Sequence, residues 1–237
     1  MKYTLLISFL FSCVFLSAQS TKQVNDPNAE QRELGSFSSI LIKGPFTVFY
    51  SKGTACTVAV SAGSQDMRDK IETKIFGSQL SVKFSDRGID GIFKNQKLRL
   101  YVSAPNLSGI ECAGAVDFVI VDVLNSDDLL LNFSGSSDIK GKIEATRLKA
   151  NFSGASDLDI SGSVKHANIV LSGAGDCDAL ELKANEADVK ASGASTIRIH
   201  ALESLKAVAS GASKIIYSGD PSKVDRSSSG ASSVRKL

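Results

Sequence analysis

Net charge, histidine, tryptophan and long apolar runs are what this chain of 237 residues has least of. The formal charge is +2 at neutral pH and no basic run stands out, so the chain offers a nucleic-acid partner no electrostatic footprint. Beyond the first eighteen residues no second apolar segment is long enough to cross a bilayer, and no transmembrane segment is expected there. The two histidines, His166 and His200, sit at different phases of the repeat described below and do not converge. No glycine loop shaped for phosphate, no cluster with metal-ligand spacing and no nucleotide motif occurs, so neither a cofactor nor a metal is expected. No Ser, His and Asp share a site that would serve nucleophilic catalysis.

What the chain does have is a repeat. Ser-Gly followed by a small residue recurs at Ser134-Gly135-Ser136, Ser153-Gly154-Ala155, Ser172-Gly173-Ala174, Ser192-Gly193-Ala194, Ser210-Gly211-Ala212 and Ser229-Gly230-Ala231. The serines are 19, 19, 20, 18 and 19 residues apart, and Ala113-Gly114-Ala115 is a weaker copy upstream. A near-constant period of this size, with no helix-forming segment inside it, marks a solenoid. Five, three and one residues before the Ser the positions are mostly aliphatic: Leu129, Leu131 and Phe133 in one repeat, Leu148, Ala150 and Phe152 in the next. That period-two alternation puts them on one face of a strand. A second strand follows the Gly, with inward positions five and seven past the Ser, such as Leu158 and Ile160 or Ile197 and Ile199. Gly permits a positive φ at the tight turn, and its small neighbours let successive turns stack.

The expected fold is therefore all-β: a parallel β-helix of two or three short strands per 19-residue coil over residues 106–237, rising about 4.8 Å per coil. A right-handed path follows from the handedness of parallel crossovers. In the last coil Arg226, Ser228 and Lys236 take the inward positions, which closes the stack against further strand addition.

Residues 1–18 read as a signal peptide: Met1-Lys2, an apolar run from Leu5 to Leu16, then Ser17-Ala18 before the cut. The mature chain is expected to be exported, to the periplasm or the cell surface. Its three remaining cysteines, Cys56, Cys112 and Cys177, all read as inward-facing. Cys112 and Cys177 lie three coils apart, about 14 Å, against the roughly 7 Å a disulfide tolerates, so they are buried small hydrophobes rather than a bridge. Residues 19–34 are polar and read as a flexible leader; residues 35–105 read as a β-rich region that caps the solenoid. Short strands are expected there over 40–43, 46–50, 56–61, 80–84 and 98–103, with one helix over 66–76 from the four-residue spacing of Met67, Ile71 and Ile75.

The order Phe37-Ser38-Ser39-Ile40, Lys43-Gly44-Pro45-Phe46-Thr47-Val48, Ser51-Lys52-Gly53, Leu98 to Pro105, Leu107-Ser108-Gly109-Ile110 and then the Ser-Gly-Ala-Ser-Asp coils resembles the putative auto-transporter adhesin, head GIN domain family. The resemblance spans about residues 35–220. It implies a β-helical exported protein with an adhesin role and brings no catalytic residue set. Where the family name implies Gly-Ile-Asn, this chain has Gly44-Pro45-Phe46.

One constellation suits a ligand. Asp117, Asp138, Asp157 and Asp176 stand four past the Ser position in successive coils and would stack about 5 Å apart, repelling by roughly 1–3 kcal/mol per pair unless relieved. Two readings stand: a cation or sugar site, since oxygen ligands at short spacing suit a hard cation, or side chains that accept turn amides. The functional expectation is an exported, non-catalytic solenoid that binds a cell-envelope component, a glycan or a protein partner along a regular flank. A polysaccharide-active enzyme is the alternative, because carboxylates on adjacent coils can act as acid and base.

Overall fold

The computed structural model describes residues 26–85 and 98–237. The expected signal peptide lies outside the described residues. Among the described residues sixteen strands and one short helix form a single β-solenoid of about seven turns. Its long strands are β9 (Asp117–Gly135), β10 (Asp138–Gly154), β11 (Leu158–Gly173), β12 (Asp176–Gly193) and β13 (Thr196–Ala209). Each pairs in parallel with the next, residue for residue along the period: Phe133 with Phe152, Phe152 with Leu171, Leu171 with Ala191.

Two or three strands per coil were expected, yet from 117 to 209 one bent strand runs through each coil. Register shifts at Lys140/Lys142, Asp159/Gly162 and Ala179/Lys183 bend it while the ladder goes on. The corners are bulges, which turn a strand without ending its pairing. Only the Ser-Gly turn breaks the strand. β14 (Lys214–Ser218), β15 (Lys223–Ser228) and β16 (Ser233–Lys236) complete the C-terminal end.

The aliphatic files are interior. Leu129, Leu131, Phe133, Leu148, Ala150, Phe152, Ile169, Leu171, Ile197 and Ile199 are all buried, and Phe133 stacks on Phe152 with ring centroids 4.9 Å apart. Cys112 and Cys177 are buried and free, and burial pushes both thiols well above the ordinary range. Cys56 is half-buried and packs against the core, with its Sγ donating to the Phe37 carbonyl at 3.4 Å.

The turn contains two ladders. Gly114, Gly135, Gly154, Gly173, Gly193, Gly211 and Gly230 all have positive φ and stack coil on coil; a Cβ on Gly154 would lie 2.3 Å from the Gly135 carbonyl oxygen. Beside them, three past the Ser, runs an interior serine file interrupted by Gly175: Ser137, Ser156, Ser195 and Ser213 are buried. Buried hydroxyls need partners, and these have them. Ser156 Oγ donates to the Ser153 carbonyl at 3.2 Å and accepts from the Ser137 amide at 3.2 Å, so its hydroxyl closes its own turn and joins it to the previous one; Ser137 and Ser213 do the same, while Ser195 bonds within its own turn.

The front half departs from the expectations in three ways. First, β2 (Ser39–Gly44) and β3 (Phe46–Lys52) form a coil of the stack itself, with Gly44 paired to Gly114 and Thr47 to Asp117. On their far side lie β6 (Gln79–Phe84) and β7 (Leu98–Ala104), parallel to β2 and β3 respectively, so a later segment precedes an earlier one along the axis. β8 (Gly109–Gly114) resumes the stack next to β2. Second, the helix expected over 66–76 is α1 (Gln65–Asp69) followed by β5 (Ile71–Phe76), antiparallel to β6. Ile71 and Ile75 fit period two as well as period four, and Ile-Glu-Thr-Lys-Ile-Phe has the β-branched content that favours a strand once a partner edge is present. Third, part of the expected flexible leader is built in. β1 (Glu30–Arg32) pairs antiparallel with β4 (Thr57–Ser61), which pairs antiparallel with β7. Asp26 is 6 % exposed at its side chain and accepts from Tyr101 Oη at 2.8 Å and Arg99 Nη1 at 3.0 Å.

Candidate binding groove

Because the strands stack in register, every outward position becomes a file along the axis. Six before the Ser the file runs Asp128, Arg147, His166, Glu186, Ser204, Lys223; four before, it runs Leu130, Lys149, Asn168, Asp188, Lys206, Asp225. These two files wall a groove of about 890 Å³ whose floor is the edge of the Leu129, Leu148, Ala167, Ala187 and Leu205 file.

The first wall is largely paired within itself. Arg147 Nε and Nη2 donate to both carboxylate oxygens of Asp128 one coil back, which holds that carboxyl below its usual range. His166 Nδ1 lies 3.0 Å from Glu186 Oε2. The second wall is different: Asp188 stands between Asn168 and Lys206, and its Oδ1 is buried without a hydrogen-bond donor. Lining carboxylates and lining cations balance, with Asp128, Glu186, Asp188 and Asp225 facing Arg147, Lys149, Lys206 and Lys223.

The acidic ladder lies on another face, outside the groove. Asp117 pairs with Thr47 and Asp138, and all four carboxylates are exposed. Asp138 Oδ1 accepts from the Asp157 amide at 3.0 Å, and Asp157 Oδ1 from the Asp176 amide at 2.8 Å. The amides accepted are those of the next coil rather than the residue's own turn. The neighbouring file, Lys140, Asp159, Asp178, Arg198, places a cation at either end of the second pair of carboxylates. Among the described residues no three His, Cys, Asp or Glu side chains are arranged to hold a metal ion.

Spacing alone put His166 and His200 on separate surfaces, and so they are: His166 is in the groove, and His200 Nδ1 is 2.8 Å from Ser218 Oγ. The groove itself was not foreseen. Two before the Ser a separate outward file pairs within itself, Asn151 Nδ2 donating to Asn132 Oδ1 at 2.8 Å. The alternating charges at six and four before the Ser were the available signal.

The family model for putative auto-transporter adhesins with a head GIN domain matches residues 36–221. A putative adhesin from Bacteroides fragilis superposes with a TM-score of 0.84 at 21 % identity, covering 88 % of this chain and 96 % of its own. A putative adhesin and a putative lipid binding protein, both from Parabacteroides distasonis, give 0.69 at 18 % identity and 0.67 at 20 %, covering 88 % and 90 % of this chain and 96 % and 98 % of theirs. At these identities the likeness is one of fold. No curated protein matches. No helix among the described residues is long and apolar enough to cross a membrane.

Proposed function

The chain belongs to the head GIN domain family of putative auto-transporter adhesins, and from that membership we propose that it is an exported, non-catalytic solenoid that holds a cell-envelope component along its flank. The observation that carries this reading is the groove. It is built from the same two positions of successive coils, so it is a linear surface fitted to an extended partner rather than a closed pocket around a small substrate. Binding rather than turnover is supported by the groove's ionic groups: the Asp128–Arg147 and His166–Glu186 pairs engage each other along the wall. The acidic ladder enters this reading as structure, its carboxylates serving the amides of the next coil. A glycan array and a pull-down from envelope extract with the purified chain test the proposal. The expected result is retention of an envelope component with no release of reducing ends from any polysaccharide retained. No retention by either route would sink the binding role, and reducing-end release would move the protein to the enzymes.

A further inference from the structure

Resting on the flank-binding reading, we infer that the groove takes one class of ligand: an uncharged, hydroxyl-rich glycan strand lying parallel to the solenoid axis. Charge decides against the polyelectrolytes, since carboxylates and cations along the two walls balance and a polyanion or polycation would meet as much repulsion as attraction. Topology decides against a peptide added as a strand. β9 to β13 are each paired on both sides, so the groove presents side chains and no open backbone edge. The side chains themselves point to hydroxyls. Asp188 lines the groove, and its Oδ1 is turned away from solvent with no donor; rotating the carboxylate toward the groove lets a ligand O–H relieve the desolvation penalty of that unpaired acceptor. Asn168 beside it, in register on the same wall, offers both a donor and an acceptor, and Lys149 and Lys206 supply donors on either side. Between Asp128 and Lys223 the groove crosses five coil steps, about 24 Å, room for several sugar rings in extended form.

Affinity electrophoresis of the full chain tests this, with a mannan, a xylan and a β-glucan as neutral probes and polygalacturonate and heparin as charged ones. At least one neutral probe is expected to retard the protein, equally at about 0.05 and 0.5 M salt because no net charge is neutralised. Asn168→Trp, which fills the groove from an outward position, and Asp188→Leu are expected to weaken that retardation about tenfold or more. Lys140→Trp on the acidic face is expected to leave it unchanged. Folding of each variant is read from its circular dichroism and melting curve, and Asn168→Trp alone suffices if Asp188→Leu does not fold. Retardation only by the charged probes, or undiminished retardation of a folded Asn168→Trp, would overturn the inference while leaving flank binding in place. If neither polysaccharides nor envelope extract retain the protein, the broader reading falls with it.

Discussion

A glycine in the turn has less freedom than its neighbours' chemistry implies. Gly154 has φ +88 and the carbonyl of Gly135 directly where its Cβ would go, with further Gly135 backbone atoms close behind, so nothing flexible can move aside. Gly154→Ala is therefore expected to cost about 2–4 kcal/mol, from strained φ and a backbone collision together. Gly63→Ala, exposed and with nothing within 4 Å, is expected to stay within about 0.5 kcal/mol. Denaturant titration of both variants gives the contrast, and equal stabilities would mean that the coils separate to admit the methyl group. The acidic ladder yields to similar reasoning. Asp157→Ala removes one acceptor for the Asp176 amide, an exposed hydrogen bond worth about 0.5–1.5 kcal/mol. Millimolar calcium is expected to leave the melting temperature of the parent and the variant alike; a calcium-dependent rise in the parent alone would restore the cation reading. Residue by residue, much was legible: the alternation of Leu148, Ala150 and Phe152 with Lys149, Asn151 and Ser153 named the interior. The interior serines were not legible. Besides a carbonyl of their own turn, Ser137 and Ser156 reach the Gly114 and Gly135 carbonyls one coil back, and the burial that makes those bonds necessary exists only once coils are stacked.

At the scale of elements, repetition was readable and its interruption was not. The coil β2–β3 has the same turn glycine as the others, but 70 residues separate Gly44 from Gly114, and no period survives an insertion of that length. The strap before it was hidden for a different reason. Its anchor is a part-buried ion pair and hydrogen-bond set between residues about 75 apart, and polar composition around Pro27 gives no sign of that. Burial opposes the charged form of Asp26, yet hydrogen bonds from Tyr101, Ser61, the Asn28 amide and Arg99 outweigh it and bring its pKa from 3.8 down to about 2. A carboxylate depressed on folding contributes stability that is present above about pH 4 and is lost as the pH falls from there toward 2. The protection of the Glu30–Arg32 amides, taken relative to unfolded-chain exchange at the same pH, should therefore fall across that window. In Asp26→Asn they should exchange fast already at neutral pH, with the two proteins converging near pH 2. Strap protection in the variant equal to that of the parent at pH 7 would show that the β1–β4 pairing holds the segment unaided.

For the whole molecule, a stack of parallel coils has two ends, and each end is an unpaired edge unless something finishes it. At the front, antiparallel strands do so: β5 covers β6, β4 covers β7, and the three-residue β1 lies outermost. At the back the finishing is chemical. Every residue of β15 is exposed, with Val224 41 % open, and where the preceding coil has Ala207, Ala209 and Tyr217 inward, the last has Arg226, Ser228 and Lys236. Lys236 is further held by an ion pair with Asp220 at 2.5 Å. An approaching edge would have to strip water from Arg226 and from the Lys236–Asp220 pair, and that cost opposes the strand pairing which addition would gain. Copying the previous coil with Arg226→Ala, Ser228→Ala and Lys236→Tyr removes the cost and keeps the backbone edge. The triple variant is expected to self-associate as its concentration rises, in sedimentation velocity, while the parent's sedimentation coefficient stays constant over the same range. Were the variant to sediment as the parent does, inward charge would not be what ends the stack, and the twist and shortness of β15 and β16 would have to account for it alone.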